Sequence, residues 1–365
     1  MLPYLKNPSL DDQKLIKSYS KVDRGLFFFF RHMCIRMQSH FLSLVNPKTI
    51  PRVFLHGNPH VENFSITEYG SAMSDFDRSR IGPYAWDISR FLASLSLKRA
   101  EQDSPFLSSS VLEYFKEGYV RGFEVPYMPF KEISQTLARG NFAIWYESTD
   151  DYLKDEGKWW AEMQKLPLKK DDKKMLKLLN GYLKSRQEEG LLETYSVKSA
   201  GLAKGTFGNQ RTVVLLEPKE DKSLDKLLLE IKEVYEDRDN DSFYNPFDHH
   251  GKRMIEASNL YAPGIEQRLG YTTLDGQQYW GREIITRHGK LKQSLDEFDQ
   301  VDIAYSVGSQ LGRAHRLSLQ EEDLKPRKFV SHLLENYEYF IGVSVQMNTD
   351  LMAAYRYYMD HLDAK

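Results

Sequence analysis

The side chains best suited to chemistry lie in one short stretch of the chain, residues 52–97. An apolar segment, residues 53–55, ends on a polar turn that runs from His56 to Asn63. A second short apolar segment leads into an acidic turn at residues 75–77. Strand ends hold side chains rigidly at a cleft, so polar clusters in such positions often form sites. The spacing therefore predicts a site where the two polar turns converge.

Asn63 and Asp75 are the candidate metal ligands, because amide and carboxylate oxygens are hard ligands that suit magnesium. Four further side chains could orient a substrate or handle a proton. These candidate catalytic residues are His56, Asn58, His60 and Asp77. In the alternative interpretation, Asn and Asp merely cap the elements that follow each turn. A single turn would favour that alternative, whereas two turns separated by one short hairpin favour a site.

Both turns resemble motifs of a known family. The first, HGNPHVEN at residues 56–63, resembles the His-Gly-Asp-x-His-x-x-Asn segment of aminoglycoside-phosphotransferase-like kinases. The second, DFD at residues 75–77 followed by Gly82 and Asp87, resembles that family's Ile-Asp-(Trp/Phe)-(Glu/Asp)…Gly…Asp-(Leu/Ile) segment. The pattern Asp-Phe-Asp…Gly-Pro-x-x-Trp-Asp is also similar to a bacterial family of unknown function. Members of that family look like kinase relatives with a rearranged chain order.

The resemblance implies an α+β, bilobal protein-kinase-like fold with a small β-rich lobe and a larger helical lobe. It implies ATP and magnesium as cofactors, with Asn63 and Asp75 binding the metal. It gives Asn58 the role of orienting the acceptor and Asp87 that of steadying the catalytic loop. It also places Arg31 near the site, although a surface ion pair is an equal alternative for that side chain.

Asn58 departs from the family pattern, which has Asp at this position. An amide orients a hydroxyl group but cannot take its proton, and losing general-base assistance typically costs about 10²–10⁴-fold in rate. Positioning and charge neutralisation carry most of phosphoryl transfer, so residual kinase activity is conceivable, with His60, Glu62 or Asp77 helping. Two alternatives remain open. One is a nucleotide-binding pseudokinase with a regulatory or scaffolding role, and the other is a different nucleotide chemistry, such as transfer of the AMP part.

The second half of the chain offers a nucleotide-binding set. Residues 195–218 are expected to form a strand, a glycine turn and a second strand, whose backbone N–H groups can approach phosphate oxygens closely. Gly201, Gly205 and Gly208 are expected in this turn, and the candidate nucleotide-binding residues are Gly205, Thr206, Phe207 and Gly208. A kinase-type site then needs a strand lysine, here Lys232, and a helical carboxylate to orient it, here Glu256. A surface lysine and a solvated glutamate are the alternatives, but the ordered set favours a nucleotide site.

Two further segments complete the resemblance. Residues 279–285 resemble the strand that leads to the hinge between kinase lobes, so backbone groups at Glu283 and Ile285 would meet an adenine edge. Residues 301–317, which end on Ala-His-Arg-Leu, resemble the helix that precedes the catalytic loop in phosphotransferases. Here that helix follows the loop in the chain, which implies a circular permutation. Permutation is tolerated when the joined ends lie close in space.

The expected organisation follows from this order. Residues 1–190 would carry the catalytic loop and the helical part of the larger lobe. Residues 191–290 would form the β-rich nucleotide-binding lobe, and residues 291–365 would return as helices to the larger lobe. The acceptor pocket is expected within residues 100–190, where no spacing names a chemical class.

Composition limits the class of protein. The chain has 365 residues, 41% hydrophobic and 28% charged, which is ordinary for a globular protein with two lobes. A net charge of −2 gives no polybasic field for nucleic acid or an anionic membrane. A single cysteine, Cys34, excludes an internal disulfide framework and suits a reducing compartment. We therefore expect a cytoplasmic phosphotransferase-like enzyme whose partners are a nucleotide and a small-molecule acceptor.

Overall fold

The computed structural model of the chain describes residues 17, 19–21, 25–98, 105–127, 144–163, 166–204, 209–291, 294–321 and 324–362. Its helices are α1 (Gly25–His32), α2 (Cys34–Leu44), α3 (Ala85–Ser96), α4 (Ser109–Glu124), α5 (Thr149–Lys154), α6 (Glu156–Met163), α7 (Lys173–Ser185), α8 (Leu191–Thr194), α9 (His250–Tyr261), α10 (Glu297–Leu317) and α11 (Pro326–Leu362). Two short 3-10 turns occupy Pro47–Thr49 and Val61–Asn63. The protein is thus a mixed α+β structure.

The strands form three antiparallel sheets. They are β1 (Arg52–Leu55), β2 (Phe64–Thr67), β3 (Gly70–Met73), β4 (Arg80–Pro83), β5 (Ile144–Trp145), β6 (Leu166–Leu168), β7 (Tyr195–Lys204), β8 (Gln210–Pro218), β9 (Leu227–Glu233), β10 (Gly270–Leu274), β11 (Gln277–Glu283) and β12 (Arg287–Lys290). The six-stranded sheet has the order β10-β11-β9-β8-β7-β6, the four-stranded sheet has the order β3-β2-β12-β5, and β1 pairs with β4.

Strand β9 shows why the six-stranded sheet has two different faces. Its sequence, LLLEIKE, places alternate side chains on opposite sides of the sheet. Leu229 and Ile231 pack with helix α7 in one hydrophobic cluster. Leu228 belongs to a second cluster on the opposite face, and Glu230 and Lys232 share that face by alternation. The sheet therefore directs two of the three charged residues of β9, Glu230 and Lys232, towards a cavity.

The largest hydrophobic cluster joins α1–α4, α10 and α11 around strands β1–β4. Helices α10 and α4 approach closely because α10 carries Gly312, where a Cβ atom would lie 2.0 Å from the backbone oxygen of Tyr119. This contact packs α10 directly against the backbone of α4. Cys34 is buried in the same cluster, as its apolar surroundings predict.

The six-stranded sheet begins before residue 191, the boundary expected from the sequence. Strand β6 pairs with β7, and α7 packs on the sheet through residues such as Leu178 and Leu179. Strand β12, by contrast, pairs with β2, which directly follows the polar turn at residues 56–63. Across the described residues, no helix has both the length and the apolar character that crossing a membrane would require.

Candidate functional site

A cavity of about 490 Å³ lies between the six-stranded sheet and the β2–β3 hairpin. Its lining comes from both halves of the chain. The residues that line it are Arg31, Ser65, Thr67, Ser74, Asp75, Asp77, Glu162, Arg211, Glu230, Lys232, Tyr235, Ile265, Glu266, Trp280, Arg282, Ile284, Ile285, His288 and Lys290. The acidic turn at residues 75–77 and the strand lysine, which are far apart in sequence, therefore face one space.

Lys232 contacts Asp77 directly across this cavity, in an ion pair between its Nζ and Oδ2. Burial opposes the charge on Lys232, but Asp77 and Asp75 outweigh it and raise the pKa of the ammonium group. Burial raises the pKa of Asp77, with a further contribution from Asp75, against the lowering effect of Lys232. The second oxygen of Asp77, Oδ1, is buried and has no hydrogen-bond partner among the residues that the structure describes. This orphaned acceptor is available to a ligand or a cation.

Asp75 has a backbone φ of +68°, a left-handed conformation that residues other than glycine rarely adopt. Such strain is often found at functional sites. Burial opposes ionisation of its carboxyl group, but Lys232, Lys290 and Arg31 together lower its pKa. The pKa shifts of Asp75 and Asp77 therefore point in opposite directions, and Asp75 is the more firmly ionised of the two.

Asn63 lies at the base of the same hairpin. Its backbone oxygen accepts a 2.7 Å hydrogen bond from the Ser74 N–H group, which fixes it beside the turn that carries Asp75. Its Nδ2 donates to the backbone oxygen of Asn58 over 3.3 Å, so the amide is oriented. The structure thus brings the two predicted metal ligands to adjacent strand ends, although Asn63 is buried and does not line the cavity.

The donor set can be tested against a magnesium ion. Within the part of the chain that the structure describes, no three His, Cys, Asp or Glu side chains gather as a metal cage. Magnesium differs from caged metals because it is usually held by one or two carboxylates together with substrate phosphates and water. The carboxylate of Asp75 together with the amide of Asn63 fits that pattern.

Asp87 anchors the start of the polar turn at residues 56–63 through its carboxylate. Its Oδ2 accepts a 2.7 Å hydrogen bond from the His56 N–H group, and its Oδ1 accepts one of 3.0 Å from Gly57. Nε2 of His315, at the end of α10, lies 3.3 Å from Oδ2. Gly57 is required here because its φ is +83° and a Cβ atom would lie 1.8 Å from the backbone oxygen of Arg78.

His56 supports this loop. Its Nε2 lies 3.1 Å from the backbone oxygen of Ser74, and its Nδ1 lies 3.4 Å from the Asn58 N–H nitrogen. Burial lowers its pKa, against the charges of Asp87 and Asp75. The ring is therefore neutral and hydrogen-bonded on both sides, and it does not line the cavity.

Asn58 is held by a buried arginine. Its Oδ1 accepts hydrogen bonds from Nε and Nη2 of Arg90 at 3.1 and 2.9 Å. The guanidinium group of Arg90 lies 3.5 Å from the ring centroid of Phe30 and is fully buried. The amide oxygen is committed to Arg90, and Asn58 does not line the cavity. Sequence reasoning assigned this side chain to the acceptor and missed Arg90.

Two other residues expected to help with proton transfer have different surroundings. His60 is buried against Phe27, and burial followed by the charge of Arg31 holds its pKa well below the usual range. Glu62 is buried between two cations, Nη1 of Arg31 at 3.0 Å and Nζ of Lys98 at 2.8 Å. Arg31 lines the cavity, and its ion pair is with the buried Glu62 rather than the surface pair that was the alternative.

The predicted pairing of Glu256 with Lys232 needs correction. Glu256 is exposed on α9, whereas Lys232 takes its carboxylate partner from Asp77. Helix α9 contributes the buried Arg253 instead, whose Nη1 donates to the backbone oxygen of Asp77 over 3.0 Å. A buried ammonium needs a desolvated partner, and the acidic turn supplies one at closer range than the helix.

Of the two residues predicted to meet an adenine edge, one lines the cavity and the other does not. Ile285 lines the cavity, but Glu283 does not; its Oε2 accepts from Nε of Arg268 over 3.1 Å. Gly201, which was expected in the glycine turn, lies instead within β7, opposite Val213 on β8. Gly205, Thr206, Phe207 and Gly208 lie outside the described residues, between these two strands in the chain.

The sequence did not predict an ion-pair network that lines the cavity on the side of the six-stranded sheet. Glu230 accepts from Nη1 of Arg211 at 2.9 Å and from Nε of Arg282 at 2.7 Å. Burial opposes its charge, but the two guanidinium groups lower the pKa of Glu230 to about 2. Arg211 also pairs with Glu162, and Arg282 with Glu266. The alternation of Glu230 and Lys232 in β9 was a signal that one face of this strand carries charge, but it did not identify the partners.

Comparison with known proteins gives one match. No curated protein and no solved structure is similar to the chain. The expected likeness to a bacterial family of unknown function is confirmed by a family match over residues 11–123 and 135–364, most of the chain. The protein belongs to this family, DUF2252, which is described as an uncharacterized protein conserved in bacteria.

Proposed function

We propose that the protein is a phosphotransferase-like enzyme with a circularly permuted kinase-like fold, which binds ATP with magnesium and acts on a small-molecule acceptor. The observation that carries the proposal is the meeting of Lys232 with Asp75 and Asp77 across one cavity. A kinase-type site needs this combination of a strand lysine opposite an acidic metal-binding turn.

The order of the elements supports the proposal. Strands β7 and β8 flank the glycine segment, β9 carries Lys232, α9 follows, and β11 leads to Ile285 at the cavity. Within the six-stranded sheet, β7, β8, β9 and β11 are neighbours in that order. This is the sequence of parts that the nucleotide-binding lobe of a kinase requires.

Contacts near the end of α10 support the permutation. The Phe54 N–H group donates to Oγ of Ser318 over 3.1 Å, and the Gln320 N–H group donates to the backbone oxygen of Arg52 over 3.0 Å. In an unpermuted kinase the helix corresponding to α10 leads into the strand corresponding to β1. These two segments lie side by side here although more than 250 residues separate them in the chain, which is the condition that a permuted order must satisfy.

The residues then have distinct roles. Lys232 would hold the phosphates, and Asp75 with Asn63 would hold magnesium, which when bound supplies charge neutralisation of the phosphate oxygens. Asp77 is the carboxylate best placed to substitute for the missing catalytic Asp, because its raised pKa and orphaned Oδ1 suit a proton acceptor. Asp87 would keep the loop in register.

A nucleotide-binding pseudokinase is the second candidate, and one observation favours it. The Asn58 amide oxygen is engaged by Arg90 and is absent from the cavity lining, so it contributes no proton acceptor. Nucleotide binding would persist without efficient phosphoryl transfer. Transfer of the AMP part is a third chemistry compatible with the same lysine and metal ligands.

Thermal unfolding with and without ATP and magnesium tests nucleotide binding. A ligand that binds only the native state at a hundredfold excess over its Kd adds about 2.7 kcal/mol of stability. We expect a raised melting temperature for the wild-type protein and a much smaller rise for Lys232→Met. Lys174→Met, on the exposed face of α7, is the matched control and should behave as wild type. No rise for the wild type would reject both nucleotide-binding candidates.

Asn58→Asp separates the two candidates. An ATP turnover that rises by about 10²-fold or more would mean that the amide disables an otherwise complete kinase. Unchanged turnover in a protein that is already active would mean that the amide belongs to the mechanism. Unchanged, negligible turnover with intact ATP binding would favour the pseudokinase. Separating the products ATP, ADP and AMP by chromatography distinguishes phosphoryl transfer from transfer of AMP.

A further inference from the structure

Lys290 differs from the other basic side chains that line the cavity. Each of the others has an anionic partner: Arg31 pairs with Glu62, Arg211 with Glu162 and Glu230, Lys232 with Asp77, and Arg282 with Glu230 and Glu266. The ammonium group of Lys290 makes no ion pair or hydrogen bond with any residue that the structure describes. The cavity therefore contains one cation whose charge the protein does not neutralise directly.

The position of Lys290 is set by strand pairing. Lys290 on β12 lies opposite Ser65 on β2. His288, two residues before Lys290, lies opposite Thr67, two residues after Ser65. Side chains two apart on a strand share a face, and all four of these residues line the cavity. Two paired strands thus form a polar floor that holds Lys290 in place.

The environment of Lys290 favours an anion. Lys290 is only partly exposed, and burial lowers the pKa of its ammonium group against the opposing effect of Asp75. Asp75 itself forms no ion pair with any described residue, although it faces the same cavity. Desolvating an unpaired charge is costly, so an ammonium kept in such a position requires a counter-ion. A cation on Asp75 and an anion on Lys290 would satisfy both groups together.

We propose that Lys290 and Ser65 form an anion subsite that binds a phosphate group of the ligand, separately from Lys232. The subsite deepens the proposed function, on which it rests for the identity of its ligand, because it adds a second lysine beside Asp75. The phosphate could belong to the nucleotide or to the acceptor, since both present the same oxyanion. Ser65 would contribute its hydroxyl group as a hydrogen-bond donor.

Isothermal titration calorimetry with ATP and magnesium, and separately with tripolyphosphate, tests the subsite. Loss of a charged contact to phosphate should make binding to Lys290→Met about 10- to 100-fold weaker than to wild type. Lys290→Arg keeps the charge and should stay within about threefold. Lys174→Met is the control for removal of a lysine elsewhere. Thermal unfolding without ligand shows whether Lys290→Met is folded, and we expect a melting temperature at or above that of wild type.

A second titration identifies the source of the phosphate. Inorganic phosphate is added to protein that is already saturated with ATP and magnesium. Weaker ATP binding by folded Lys290→Met assigns the subsite to the nucleotide. Unchanged ATP binding with loss of phosphate binding assigns it to the acceptor. If both affinities are unchanged, the subsite is rejected and the proposed function stands.

Failure of the nucleotide proposal alone can also be recognised. If wild type binds tripolyphosphate through Lys290 but does not bind ATP, the nucleotide proposal fails and the anion subsite stands. If wild type binds neither ATP, tripolyphosphate nor inorganic phosphate, both proposals are overturned.

Discussion

At the residue scale, the chemistry of this protein depends on how each charge in the cavity is partnered. Spacing alone singled out the turn that carries Asp75 and Asp77 as part of a candidate site, because two polar turns around a short hairpin are visible in the sequence. Their opposite pKa shifts were not visible, since they depend on cations supplied by distant strands. Glu256 was the reverse case: its chain position suited an ion pair with Lys232, but the acidic turn provides the closer partner.

The two aspartates should respond differently to the same substitution. Asp75→Asn removes a charge from the metal position, so we expect at least a tenfold loss of affinity for ATP in magnesium and little change without magnesium. Asp77→Asn should keep magnesium-dependent binding but lower turnover, because it removes the proposed proton acceptor. Calorimetric titrations with and without magnesium, alongside turnover assays, measure both effects. Equal loss of magnesium-dependent affinity in both variants would contradict these separate roles.

At the element scale, the six-stranded sheet both builds the core and delivers charge to the cavity. The sequence predicted a glycine hairpin followed by a lysine strand, and the alternation of β9 explains why Lys232 points away from α7. The partners of Glu230 could not be predicted, because Arg211 and Arg282 come from neighbouring strands whose register is set by tertiary pairing.

The Glu230 network predicts a measurable pH dependence of stability. The folded-state pKa of Glu230 is about 2, below its ordinary value of 4.5, so its ionised form stabilises the fold above that ordinary value. This contribution is lost as the pH falls from about 4.5 towards 2, with an upper limit of about 3 kcal/mol. Urea unfolding at pH 5 and pH 3 should show wild type losing more stability than Glu230→Gln. Parallel losses in both proteins would show that Glu230 is not the stabilising carboxylate.

At the scale of the whole molecule, the proposed permutation concerns the order in which the segments follow one another in the chain. The sequence implied a permutation from the order of its motifs, but it could not predict how the segments meet. The contacts of Ser318 and Gln320 with strand β1, and of His315 with Asp87, supply that information. The sequence also could not show that β6 and α7 belong with the six-stranded sheet, because their side chains carry no signal that marks a domain boundary.

The proposed permutation predicts that a kinase-like chain order should be tolerated. In the new order, the chain begins at Gly190 and ends at Glu189, two exposed positions, with a flexible linker joining residues 365 and 1. The hydroxyl group of Tyr355 donates to the backbone oxygen of Tyr19 over 2.6 Å, so the N-terminal and C-terminal parts of the described chain meet at this contact. We expect circular dichroism and thermal unfolding close to those of the parent chain.

A second permutant, opened between Ile88 and Ser89 in the buried helix α3, serves as the control and should not fold. If the Gly190 permutant failed to fold while the parent remained stable, the proposed relation to kinase chain order would be wrong.

The central claim is that two distant segments form one phosphate-binding cavity, and a crystal structure with magnesium and a non-hydrolysable ATP analogue tests it most directly. We expect phosphate oxygens within hydrogen-bond distance of Nζ of Lys232, with the metal on Asp75. A nucleotide bound elsewhere on the protein, with the cavity between Lys232 and Asp75 left vacant, would contradict it.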